Sequence, residues 1–218
     1  MQKIMFNDRY GLTQAVLELL KDMTRRIIPE MKGRVYEKKP DIVWDANDEC
    51  FLVFKDKDDI EPILLYPKYK IGEVLAVAQN YKKCWEIYQK RWEEHGDPSN
   101  WRTPDAILGD SVAETEGWTN KMFVKADLMP HHIRITNIRV ERLRDISDED
   151  CLREGVKQLN CGLFTVGDYA LKVGRGFNRT SIFRTPRKAY AALIDKVSGK
   201  GTWDENPYVY VYEFEFLN

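Results

Sequence analysis

No apolar run in this chain reaches the roughly 18 residues that a membrane-spanning helix needs, so a helical span is not expected. Neither charge dominates: 34 Lys and Arg stand against 35 Asp and Glu. A global positive field that would hold the protein on nucleic acid by counterion release is therefore excluded, and any RNA contact must be local. The four cysteines, Cys50, Cys84, Cys151 and Cys161, have no paired spacing. This argues against zinc ribbons and redox motifs, and reduced thiols with no metal and no cofactor are expected. The opening MQKIMFNDRY lacks an apolar stretch after a basic one, which leads us to expect a soluble, cytoplasmic protein. There is no repeat array. What is present is ample core material, 43% hydrophobic residues over 218 positions, enough for one domain spanning 1–218 with sizeable insertions.

Lys3 to Phe6 reads as a short strand ended by Asn7-Asp8, which can open a helix. Leu12, Ala15, Val16, Leu19 and Leu20 then follow at the spacing that puts all five on one buried stripe, which predicts a helix over 9–20. Polar Lys21 to Arg26 gives way to Ile27-Ile28 before Pro29, as at a helix end passing into a strand. Residues 30–66 alternate charged stretches with short apolar runs and read as a hairpin-like insertion. Ile71 to Ala78 is a turn feeding a buried strand.

Tyr81, Trp85, Tyr88 and Trp92 make an aromatic stripe on a helix over 81–94, a stripe that covers the core or offers a base-stacking platform. His95 to Thr119 has little periodicity and reads as a loop. His132 to Leu143 alternates as a long strand with a bulge, and Ser147 can cap a helix over 147–153 that ends near Glu154-Gly155. Leu159 to Arg184, with Lys172, Arg175 and Arg179, reads as a mobile segment. Thr185-Pro186 opens a helix over 186–197, and Tyr208 to Phe216 is a period-2 strand with one aromatic face.

Four blocks in order carry a resemblance. They are Leu19-Leu20-Lys21-Asp22-Met23-Thr24-Arg25-Arg26; Ile71 to Leu75; Val140 to Leu143 with Asp145-Ile146-Ser147 and Glu154-Gly155-Val156; and Trp203 to Phe216. Together they resemble the ASCH family, whose mark is a Gly-x-Lys-x-x-Glu-x-Arg cluster between the first helix and the next strand. The nearest variant is that of phage and prophage members, Gly-Arg-Lys-Thr-x-Thr-Arg-Arg. Here Leu19 stands for the family's glycine and Asp22 for its first threonine. The resemblance implies a mixed α/β (α+β) chain with a PUA-like β-barrel of five to six strands flanked by helices, and with insertions near 30–66 and 157–182.

For function the resemblance implies a module that binds RNA, a nucleotide or a modified nucleoside. Lys21, Arg25 and Arg26 form a compact positive site whose Arg forks suit phosphate oxygens, and His131 and Arg134 complete the candidate ligand-binding set. The alternative for the cluster is a solvated basic turn paired with the acidic 145–150 segment. Within the family, amidohydrolases of N4-acetylcytidine use a lysine, a threonine and a downstream glutamate, which fall by position on Lys21, Thr24 and Glu154. In that case Thr24 is the nucleophile, Lys21 takes its proton and Glu154 assists the leaving amine. Lys21 and Thr24, three apart, are expected to share a face of a helical turn. A non-catalytic adaptor of phage or mobile-element origin is a third possibility. The adjacent His131-His132 point to opposite faces of a strand, which argues against metal binding and leaves a contact to a base or phosphate at the cleft mouth or a satisfied structural histidine.

Overall fold

The computed structural model describes residues 1–34, 36, 38–55, 61–95, 103–166 and 182–217. The expectations for Lys172, Arg175 and Arg179 lie outside the described residues.

Strand β1 (Gln2–Ile4) leads into a 3-10 turn at Asp8–Tyr10, where the Asn7 side chain accepts from the Arg9 N–H at 3.0 Å. Helix α1 (Leu12–Leu17) buries Leu12, Ala15 and Val16, as their spacing predicts. The stripe stops there, which corrects the expected 9–20 helix. Leu19 adopts φ 59° and is 69% exposed, and Leu20 is 46% exposed. The amides of Leu20 and Lys21 both fold back onto the Ala15 carbonyl, at 2.8 and 3.1 Å, and so close the helix.

Strand β2 (Met23–Ile27) follows. The insertion is more than a hairpin: β3 (Asp41–Asp45), β4 (Cys50–Phe54) and β5 (Ile63–Leu65) form an antiparallel sheet in that order. Strand β6 (Val74–Val77) precedes α2 (Tyr81–His95). The stretch read as a loop contains α3 (Pro104–Leu108), capped by the Thr103 side chain, and further 3-10 turns run to Leu128. These turns bury Leu108, Val112 and Val124 with Tyr81, Cys84 and Met129 in a satellite core. Trp85 and Tyr88 pack against that cluster, so the stripe covers a local core.

Strand β7 (His132–Arg142) carries the expected bulge. Asn137 and Ile135 stand opposite Glu213 and Phe214, leaving Thr136 as the extra residue. In α4 (Asp148–Arg153), Ser147 Oγ accepts from the Asp150 N–H at 3.0 Å. A small hairpin, β8 (Val156–Gln158) and β9 (Phe164–Val166), precedes α5 (Pro186–Ser198), which is capped by Thr185. Short α6 (Thr202–Glu205) leads to β10 (Tyr208–Leu217).

The main sheet has the order β1-β6-β7-β10-β2, with β1 and β6 parallel and the other pairs antiparallel. The protein is thus a mixed α+β fold around a five-stranded sheet. Among the described residues β1 and β2 are both edges, so the ladder does not close into the expected barrel. Strand β10 lies inside the sheet between β7 and β2, and both its faces are buried. Tyr208, Tyr210, Tyr212 and Phe214 lie on one face, while Val209 and Val211 on the other are covered as well.

Candidate functional site

The end of α1, the start of β2 and the end of α4 meet at one point. The Asp22 N–H donates to the Arg153 carbonyl at 3.2 Å, which ties the two segments together. Gly155 then turns the chain with φ +99°. A Cβ there would lie 3.5 Å from both Ala15 Cβ and Leu12 Cδ2, so the backbone after Glu154 runs close against α1.

This convergence buries Lys21 against Glu154. The Lys21 ammonium donates to Glu154 Oε2 at 2.5 Å, to the Met23 carbonyl at 2.5 Å and to the Glu154 carbonyl at 3.0 Å. With 2% of Lys21 exposed, burial drives its pKa below the ordinary range despite the opposing pull of Glu154. Glu154 is shared. Arg25 Nη1 donates to Glu154 Oε1 at 3.2 Å, and Nη2 of the same side chain reaches Glu141 and Asp150, both at 2.7 Å. Although burial opposes its charge, Glu154 and Glu141 raise the Arg25 pKa further. The pairing of Arg25 with the acidic 145–150 segment therefore exists, but as a buried contact and not on a solvated turn.

The network continues outward. Arg139 donates to Asp150 at 2.5 Å, to Glu141 at 3.1 Å and to Glu213. Arg153 joins Glu213 at 2.9 Å to Asp22 at 2.8 Å.

Lys21, Thr24, Arg25, Arg26 and Glu154 all line one cleft of about 470 Å³. Lys21 and Thr24 reach it by a different route from the helical turn expected. Lys21 lies between α1 and β2, and Thr24 lies within β2, paired with Tyr212. Thr24 is 5% exposed, and its hydroxyl has no hydrogen-bond partner among the described residues. The Arg26 guanidinium donates to the Met5 carbonyl at 2.6 Å, lies 5.9 Å from the Phe6 ring centroid, and has no carboxylate partner among the described residues. The cleft is thus charge-compensated around Lys21 and Arg25, with Arg26 as the cation left over.

Two expected residues lie elsewhere. His131 sits against Phe216, with Nδ1 2.9 Å from Gln79 Oε1, and burial lowers its pKa to about 4. Arg134 pairs with Glu215 at 2.9 Å on the exposed side of β7. Neither lines the cleft.

The far wall, which sequence reasoning missed, is α5. Tyr190, Leu193, Ile194 and Val197 line the cleft, and their helical spacing had marked them only as a buried face. The Tyr190 hydroxyl is held protonated well above its usual range, first by burial and then by Glu154. Among the described residues, no group of three or more His, Cys, Asp or Glu side chains is placed to hold a metal ion. Comparison with protein-family models, with curated proteins and with solved structures finds no match in any of the three.

Proposed function

We infer that the cleft binds a small nucleoside-type ligand and hydrolyses an N-acyl group on it, as an amidohydrolase of N4-acylated cytidine-type substrates. One observation carries this reading: a buried Lys21–Glu154 pair opens onto the same cleft as a buried threonine hydroxyl that no other described group engages. Buried polar groups are normally satisfied, and one that is not calls for an explanation, of which a catalytic role is one. Leu19 fits the resemblance at one point: its left-handed backbone is the conformation for which the family's glycine would be suited. RNA binding by a basic cleft is favoured less, because three carboxylates neutralise Arg25 and the Lys21 charge faces Glu154.

The chemistry balances within this cluster. The proton in the short Lys21–Glu154 contact passes to the carboxylate, leaving a neutral amine and a carboxylic acid. The amine takes the Thr24 hydroxyl proton as Oγ1 attacks the acyl carbon. The C–N bond breaks, the leaving amine takes the proton from Glu154, and an ester remains on Thr24. Water then repeats the cycle: Lys21 again supplies Glu154 with a proton and takes one from the water, hydroxide attacks the ester, and Glu154 protonates the departing Thr24 oxygen. The products are the free amine and the carboxylic acid.

The test is chromatography of N4-acetylcytidine and related N-acyl nucleosides after incubation with the purified protein. Turnover by the wild type should fall by roughly 10³-fold or more in Thr24→Val, which keeps the side-chain shape. No turnover on any N-acyl nucleoside, or full activity in Thr24→Val, would overturn the reading.

A further inference from the structure

A second cleft, of about 450 Å³, adjoins the first and shares Met5, Arg26 and Ile27 with it. Both volumes fall within the roughly 300–1,000 Å³ of small-molecule sites. The second cleft has a different character. Tyr66, Tyr69, Tyr210 and Tyr212 line it, together with the cations Lys3, Arg26 and Lys68 and the carboxylate Glu30.

Its parts are not equivalent. Tyr210 and Tyr212 stand opposite Arg26 and Thr24 on β2 and are buried, forming a floor that is continuous with the nucleophile's strand. The Tyr212 hydroxyl accepts from the Lys68 N–H at 3.0 Å, which fixes the wall to the floor. The ammonium of Lys3 is committed to the Met122 and Val124 carbonyls at 2.6 and 3.0 Å. Arg26 and Lys68, by contrast, have no carboxylate partner among the described residues. Lys68 lies 5.2 Å from the centroid of the Tyr69 ring. Tyr66 is 61% exposed, and its ring contacts no other ring among the described residues.

A free aromatic face beside two unneutralised cations suits a planar base joined to a phosphate. Stacking supplies sequence-tolerant affinity, and the cations take the anionic oxygens. Arg26, shared by both clefts, stands where a bridging phosphate would lie.

We propose that the second cleft is a nucleotide subsite: it holds the base next to the reacting nucleoside, with the connecting phosphodiester at Arg26 and Lys68. The preferred substrate is then an acylated nucleoside within a dinucleotide or short single strand and not the free nucleoside. This rests on the hydrolase reading of the first cleft. The subsite is built largely from Tyr66, Lys68 and Tyr69, which directly follow the three-stranded insertion and precede β6. Its specificity is therefore separable from the Lys-Thr-Glu chemistry.

The deciding experiment compares kcat/KM for N4-acetylcytidine with that for its two adenosine-linked dinucleotides. In the wild type, at least one dinucleotide should be favoured about tenfold or more. That ratio should fall toward one in Tyr66→Ala and in Lys68→Ala. Because each variant is its own reference, a general loss of folding does not move the ratio. Equal kcat/KM values in the wild type, or a preference that survives both substitutions, would overturn the subsite while leaving the hydrolase reading intact. If no substrate is turned over, calorimetric titration with cytidylyl-adenosine decides the subsite alone. Binding that weakens in both variants supports it, and absent or unchanged binding rejects it.

Discussion

Lys21 is the residue whose environment has the most to say about chemistry. Its folded pKa is lowered, chiefly by burial, while Glu154 pulls the other way. Removing that carboxylate should therefore lower it further. In the wild type the Lys21–Glu154 pair must keep one proton, so turnover should fall as pH rises through the Lys21 pKa, whereas in Glu154→Gln the amine becomes a base only after its proton leaves, so the much reduced turnover should rise with pH. Residual turnover in Glu154→Gln that does not rise with pH would remove Lys21 from the role of base. The same lowering has a stability consequence. Between the folded pKa and the ordinary 10.5, the unfolded chain holds a proton that the folded chain lacks. Folding therefore gains from rising pH across that window, and the cost of burying the ammonium is felt below it. Comparing urea unfolding of the wild type with Lys21→Met should show the wild type improving relative to the variant as pH climbs toward 10.5. His131 gives a simpler check. Its ring, held neutral by burial and then by Arg91 and His132, should titrate near 4 in an NMR pH series and so carries no charge near neutral pH. Its place beside Gln79 and Phe216 is that of a packed, hydrogen-bonded ring, the structural alternative that the His131-His132 pair left open.

At the scale of elements, the instructive case is the end of α1. The apolar spacing continues through Leu19 and Leu20, yet the helix stops at Leu17. Periodicity records which residues would face one side of a helix, and it carries no information about where the backbone turns left-handed. The left-handed conformation costs a non-glycine residue roughly 1–2 kcal/mol, and the exposed Leu19 side chain gives little packing in return. Leu19→Gly should therefore be neutral to stabilising, by up to about 1 kcal/mol after the entropy glycine adds to the unfolded chain, as read by urea denaturation. Gly155→Ala, at φ +99°, should instead destabilise by about 1 kcal/mol or more, and it should disturb the Glu154 carbonyl that holds Lys21. Elements with a complete local signal were legible. The Ser147 and Thr185 caps, the bulge in β7 and the aromatic run of β10 all lie where their residues put them. The 103–128 stretch was not legible, because short 3-10 turns bury single residues at irregular spacing. The partners of Arg25 were half legible. The acidic 145–150 segment could be named, but Glu141 and Glu154 join it only through strand pairing and the turn at Gly155.

At the scale of the molecule, near-zero net charge arises from organised compensation, and this bears on how any nucleic-acid ligand is held. Arg25, Arg139 and Arg153 are each bound to two or more carboxylates, so they are poorly placed to release counterions from a phosphate backbone. Of the cations lining the two clefts, Arg26 and Lys68 are the ones not engaged by a carboxylate or by several carbonyls among the described residues. One phosphodiester shared by Arg26 and Lys68 is one neutralised phosphate, which on a single strand predicts a slope of log K against log salt of about −0.7. Titrating a short single-stranded oligonucleotide at several salt concentrations measures that slope directly. A value near −0.7 that flattens in Lys68→Ala would assign part of that contact to this residue. A slope of about −2 or steeper would require phosphate contacts beyond this one. The strand would then be held by a wider surface than the paired clefts provide, and the specificity argued for them would have to come from stacking at Tyr66 and not from charge.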